Sequence, residues 1–313
     1  MPPLSAVRAA NVAFSPPYFP VAIFVGGTSG IGQATAQAFA RYTKGNAHII
    51  LVGRNQAAAD STIASFPKPT VPEAKHEFVH CDAQLIRNVH ATTSSLLARL
   101  PKVNFLVLSP GFASFSGRDE TEEGIDRRLG LHYYSRWKFI YDLLPLLRKA
   151  KDAGEDAKAL SVLRAGTGVA VDLDNLGLKK NYLSGNPAYT ACTYTDLAMQ
   201  SFSEQNPDIA FIHTDPGVVR DTQLLARVNW AMRLVGPLIM GLFRPWSVSA
   251  DECAEYTLYA LFQSEKGACR RSSSGDDIGK SPLYEADDIR RRVWDHTKEE
   301  TERALQVRVT ATG

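Results

Sequence analysis

Residues 21–25, "VAIFV", are apolar without interruption and run straight into glycines, after which "IGQATAQAFARYT" at 31–43 carries its apolar residues at helical spacing. Strand, tight turn and helix follow within 23 residues. A chain that opens this way is committed to a sheet whose strand ends meet helix starts.

The pattern then repeats. Strand-like runs read "AHIILVGRN", "HEFVHCDA", "VNFLVLSPG", "AKALSVLRAG" and "IAFIHTDPG". Between and after them lie the helical stretches "QAAADSTIASF", "LIRNVHATTSSLLARL", "HYYSRWKFIYDLLPLLRKA" and "YTACTYTDLAMQSFSEQ". Strands alternating with helices predict an α/β fold, a Rossmann-type doubly wound parallel sheet with a short helical substrate-binding extension. The 313 residues fit one such domain, with a core at about 20–265, substrate-binding helices at about 222–250 and a C-terminal extension at 266–313. In "SADECAEYTLYALFQ", Ser249 or Asp251 caps a further helix, whereas "CRRSSSGDDIGK" reads as a mobile loop. No repeat or low-complexity tract is present.

Net charge is +2, from balanced acids and bases, which argues against a nucleic-acid partner. The cysteines, Cys81, Cys192, Cys253 and Cys269, are scattered without a paired spacing, so neither a disulfide framework nor a metal site is expected. No secretory signal and no run long enough to span a membrane is found. These features predict a soluble, cytoplasmic protein with small-molecule partners.

The first turn, "GGTSGIG", sets Gly26, Gly30 and Gly32 between strand and helix, with Thr28, Ser29 and Ile31 among them. Glycine suits this place because backbone must approach a pyrophosphate closely while N–H groups at the helix start point at it. Arg54 and Asn55 end the second strand with no acid adjacent, and an arginine there can accept a 2′-phosphate. NADP(H) is therefore the expected cofactor.

With this turn the chain resembles the short-chain dehydrogenase/reductase family over roughly residues 20–265. Asp82 after the third strand and "DPGVV", with Pro216, Gly217 and Val219, match the family's pattern, and the overall flavour is similar to a filamentous-fungal branch tied to secondary metabolism. The resemblance implies that Asp82 accepts hydrogen bonds from the adenine ring, although the same residue can cap the helix that follows. Ser109 and Gly111, in "LSPG", stand in the family's "NNAG" motif. Dimers and tetramers are common in the family, so a homo-oligomer is an expectation by resemblance.

The family's catalytic set is altered. Tyr189 keeps the tyrosine that gives or takes the proton, but Thr193 occupies the place of the lysine four residues on. Without that cation a tyrosine of ordinary pKa near 10 is almost wholly protonated at neutral pH. Carbonyl reduction, which starts from the neutral acid, then suffers less than alcohol oxidation. Where family members carry consecutive serines, this chain has Leu163 and Arg164; Thr167 can offer a hydroxyl nearby and Arg164 can polarise an oxyanion. His132 aligns with the family's helix asparagine and is read either as a proton relay titrating near neutrality or as a satisfied helix residue.

The segment from Val228 to Trp246 is strongly apolar and suggests an apolar substrate lined by Trp230, Met232, Met240, Phe243 and Trp246. The leading expectation is an NADPH-dependent reductase of a carbonyl on such a molecule. Two alternatives stay open: a cyclase, isomerase or dehydratase without redox turnover, and a non-catalytic NADP(H)-binding sensor.

Overall fold

Val21, Ile23 and Val25 point to one side of the first strand and Ala22 and Phe24 to the other, and all five are buried. A strand that is apolar on both faces needs a layer on each side. That requirement organises the whole chain. The structure, a computed structural model, describes residues 2–114, 116–183, 185–220, 247–281 and 286–307. The apolar segment Val228 to Trp246, with its five proposed lining residues, lies outside these.

Helix α1 (Leu4–Val12) precedes β1 (Val21–Val25), α2 (Gly30–Tyr42), β2 (His48–Gly53), α3 (Gln56–Ala64), β3 (Lys75–His80), α4 (Ile86–Arg99) and β4 (Phe105–Leu108). A helical run follows, made of α5 (Arg127–Leu129), a π-helical turn at Gly130–Tyr134 and α6 (Ser135–Asp152). The chain continues with β5 (Lys158–Val162), α7 (Asn186–Gln205), β6 (Ala210–Thr214), α8 (Ala250–Gln263), β7 (Gly267–Arg271) and α9 (Asp287–Gln306). Among the described residues the seven strands are all parallel, in the order β3-β2-β1-β4-β5-β6-β7. Strand order reverses between β1 and β4, so the turn after β1 opens onto the crevice where such sheets bind ligands.

One core layer joins Phe24 and Leu51 to Phe39 of α2 and Leu258 of α8; the other joins Ile23 and Ile50 to α4, α6, α7 and α9. On the first side Phe14, just after α1, stacks on Phe262 at 3.9 Å and meets Phe105 edge-on at 5.7 Å. Asn11, fully buried, donates to both the backbone and the carboxylate of Glu255, which fixes α1 on α8.

Ser249 caps α8 in a reciprocal capping box with Glu252, so of the two proposed caps Ser249 serves. The polar stretch at 269–280 is only partly the loop that its composition suggests. Cys269, Arg270 and Arg271 belong to β7, which pairs along β6 and carries the sheet past residue 265. An edge strand needs no continuous apolar run, and the reason for a charged one lies beneath it: Arg270 Nε stands 3.1 Å from the buried Asp196 of α7, which also holds His213 of β6 at 2.6 Å. The cysteines are free, and no described helix is long and apolar enough to cross a membrane.

Candidate active site

Gly26 has φ of +81°, and a Cβ there would stand 2.9 Å from Pro110 N and from Ser109 Oγ. At Gly32 a Cβ would overlap Ser109 Oγ and lie 2.5 Å from the Gly26 carbonyl oxygen. The turn is therefore wound against the end of β4. Ser109 fastens it, its hydroxyl donating to Val25 O at 3.0 Å and its own N–H to the same oxygen at 2.9 Å. Thr28 folds over Gly53, where a Cβ would come within 2.9 Å of its hydroxyl.

Ser29 precedes α2 in extended backbone and caps no N–H with its side chain. The first-turn donors of α2 are thus left for another acceptor, and a helix start with free N–H groups favours an anion. They face a cavity of about 480 Å3 that extends along the carboxyl ends of the strands. Gly26, Thr28, Ser29, Gly30 and Ile31 line its middle, and Arg54, Asn55 and Asp82 one end. Ser109, Gly111, Pro216, Gly217 and Val219 line the other. Of the residues proposed for the cofactor, only Gly32 stands behind the lining. Gln33, Gln84, Pro110, Phe112 and Leu131 also line it beyond the expected set; Gln33 follows Gly32, Pro110 and Phe112 flank Gly111, Gln84 stands two residues after Asp82, and Leu131 precedes His132.

Arg54 lies 3.9 Å from Asp82, and both side chains are substantially exposed. A surface pair of that length contributes at most about 1 kcal/mol, so it does not prevent Arg54 from engaging a phosphate. Asp82 Oδ1 accepts from Gln84 N at 3.2 Å, a local turn. The cap of the following helix is instead Glu123, brought in from a distant loop: its carboxylate accepts from Ile86 N at 2.7 Å and Arg87 N at 3.0 Å. Asn55 caps α3 by accepting from Ala58 N at 3.0 Å. A long cavity, free helix-start donors in its middle and a cation at one end suit a dinucleotide.

None of the five residues proposed for catalysis lines this cavity. Tyr189 is 40% exposed on the first turns of α7, and the Arg164 guanidinium lies 5.7 Å from its ring centroid. Thr167 Oγ1 donates back to Arg164 O at 2.8 Å and approaches Cys192 Sγ at 3.7 Å, so it closes a turn under Arg164. Thr193 is buried one turn along the same helix, its hydroxyl 3.4 Å from the Tyr189 carbonyl oxygen. Its hydroxyl accepts from Val169 N at 2.8 Å and donates to Val169 O at 2.7 Å, while a Cβ at Gly168 would come within 3.2 Å of its Cα. The residue in the lysine's place pins a loop.

That geometry makes a specific forecast for restoring the family's residue. Thr193→Lys removes two backbone partners and puts a cation into a space without room, and should destabilise the fold by about 3 kcal/mol or more without raising activity. Thermal melts and turnover of the purified variant check this.

His132 sits in the π-helical turn, buried, and its Nε2 accepts from Phe112 N at 3.3 Å. Nδ1 has no partner among the described residues. Burial first, then the charges of Arg136 and Arg128, push its pKa down to about 3. The imidazole is neutral at physiological pH, so the expectation of titration near neutrality gives way to that of a backbone acceptor, which holds a cavity-lining residue in place.

A family model described as short chain dehydrogenase matches residues 20–154. Oxidoreductase AN1596 of Emericella nidulans is 35% identical over 260 residues, covering 82% of this chain and 76% of its own. Oxidoreductase andH of Emericella variicolor is 31% identical over 267 residues, covering 83% and 74%. Among solved structures, NADPH-bound carbonyl reductase from chicken fatty liver superposes with a TM-score of 0.58 at 16% identity, over 83% of this chain and 98% of that one. That last likeness speaks for the fold; the sequence identity sustained over most of the chain speaks for descent. The chain belongs to the short-chain dehydrogenase/reductase family of oxidoreductases.

Proposed function

We propose that the protein is an NADP(H)-dependent reductase acting on a carbonyl of an apolar small molecule, in secondary metabolism as the resemblance to filamentous-fungal members implies. The observation that carries this reading is the single cavity that joins Arg54, the free donors of α2 and the Pro216–Val219 segment. When bound, the reduced nicotinamide supplies the hydride for the carbonyl carbon. Tyr189 gives its phenolic proton to the carbonyl oxygen and regains one from solvent, to which it is open. The Arg164 guanidinium stands above the ring face, a cation–π contact that orients the phenol. It brings a cation to the tyrosine, which Thr193 in the lysine's place does not. The exposed side chains of Val169, Leu183 and Val218 on segments beside Tyr189 and the cavity favour an apolar substrate.

A second reading, acid–base chemistry without hydride transfer, draws on the same Tyr189 and on the commitment of Thr193 and His132 to backbone. Conversion of substrate in the absence of cofactor would distinguish it.

Titration with NADPH and NADH tests the cofactor assignment. NADPH should bind at least about tenfold more tightly, and Arg54→Ala should lower NADPH affinity about tenfold to a hundredfold while leaving NADH where it was, the scale of charge-assisted hydrogen bonds to a phosphate. A preference for NADH, or an Arg54→Ala protein with unchanged affinity for NADPH, contradicts it.

A further inference from the structure

Arg136 of α6 is buried with its charge. One of its terminal nitrogens donates to Ser161 Oγ at 2.7 Å, Val162 O at 2.8 Å and Leu108 O at 3.3 Å, and the other to Pro110 O at 2.6 Å. Nε has no partner among the described residues, and no carboxylate there pairs with the guanidinium. A buried cation is normally paired with an acid; here it is solvated by the carbonyls at the carboxyl ends of β4 and β5. Carbonyl dipoles satisfy its protons without cancelling its charge.

Its location gives that charge an addressee. Pro110 is part of the cavity lining, so the guanidinium lies directly behind the wall. A dinucleotide whose pyrophosphate meets the turn after β1 extends one half toward β2 and β3, where Arg54 and Asp82 stand, and the other toward β4 and β6. Arg136 is on the second side, that of the nicotinamide. The two redox states of that ring differ by one positive charge: the oxidised ring is a cation and the reduced ring is neutral.

We infer that Arg136 is an electrostatic selector of redox state, whose buried charge behind Pro110 disfavours the oxidised nicotinamide and makes the site hold NADPH more tightly than NADP+. The inference rests on the proposed cofactor and goes beyond it, since binding of NADP(H) does not by itself imply a preference between its two forms. In a reductase the same field speeds departure of the spent cofactor. Burial also pulls the Arg136 pKa down to about 9, the mark of a poorly compensated charge.

The test measures dissociation constants of NADPH, NADP+ and adenosine 2′,5′-bisphosphate, which lacks the nicotinamide, by calorimetry at one pH and ionic strength. The intact protein should prefer NADPH over NADP+ by roughly tenfold or more, the scale of two unit charges about 10 Å apart inside a protein. Arg136→Gln should bring the ratio near one, and Arg136→Lys should keep it. Should Arg136→Gln not fold, Ser161→Asp, which sets a carboxylate against the guanidinium, should abolish the preference in its place. Affinity for the bisphosphate should be the same in all variants. Equal affinities in the intact protein, or a preference unchanged in Arg136→Gln or Ser161→Asp, overturn the inference, whereas failure of all three ligands to bind overturns the cofactor assignment beneath it.

Discussion

Gly32→Ala is expected to weaken dinucleotide binding about a hundredfold and to destabilise the fold by about 3 kcal/mol. The added methyl meets two obstacles of different stiffness. Ser109 Oγ overlaps it but can rotate away, at the cost of the bond to Val25 O. The Gly26 carbonyl oxygen, 2.5 Å off, is backbone and cannot, so the start of α2 must shift. A shift of that helix misaims the N–H donors that meet the anion, and small displacements of positioned groups cost about two orders of magnitude. The double variant Gly32→Ala/Ser109→Gly removes the movable obstacle and keeps the fixed one. It should therefore regain part of the stability and little of the affinity. Chemical denaturation and cofactor titration on both proteins check this; an alanine variant that binds normally would mean that the turn does not hold the dinucleotide.

Tyr189→Phe is expected to lower turnover about 10²- to 10⁴-fold, the usual worth of a positioned proton donor, with cofactor affinity and melting temperature unchanged. The phenyl ring keeps its face toward Arg164, so the cation–π contact survives, and the residue is exposed enough that no packing is lost. Only the hydroxyl goes. Steady-state kinetics with a folded, cofactor-saturated variant give the answer, and a phenylalanine protein as active as the parent would remove Tyr189 from the chemistry.

Of the six strands read from the sequence, β1, β2 and β4 were legible because parallel strands buried on both faces appear as short continuous apolar runs, whereas β3, only partly buried at the sheet edge, was legible from its place between two helical stretches. β7 was not, since its two arginines look like surface; Arg270 earns its place through Asp196, a residue 74 positions earlier that no local pattern connects to it. The glycine turn was legible for a different reason: Gly26 and Gly32 are held to glycine by close approaches and Gly30 by a φ of +56°. The roles of Thr193 and His132 were hidden because they depend on backbone partners across the fold, Val169 and Phe112, and composition says nothing of such pairs. Arg136 escaped notice as one more charged residue in an amphipathic helix. Burial, which sequence reveals poorly for a single arginine, is what distinguishes it.

The most direct test of the proposed activity is to follow the hydride. The protein is incubated with NADPH carrying deuterium at the transferable position of its nicotinamide and with a panel of apolar ketones and aldehydes, and the products are examined by mass spectrometry. One deuterium is expected on the new carbinol carbon, with NADPH consumed in equal amount and the signal lost in Tyr189→Phe. Tight binding of NADPH with no consumption across the panel, or conversion of a substrate at full rate when NADPH is left out, would contradict it.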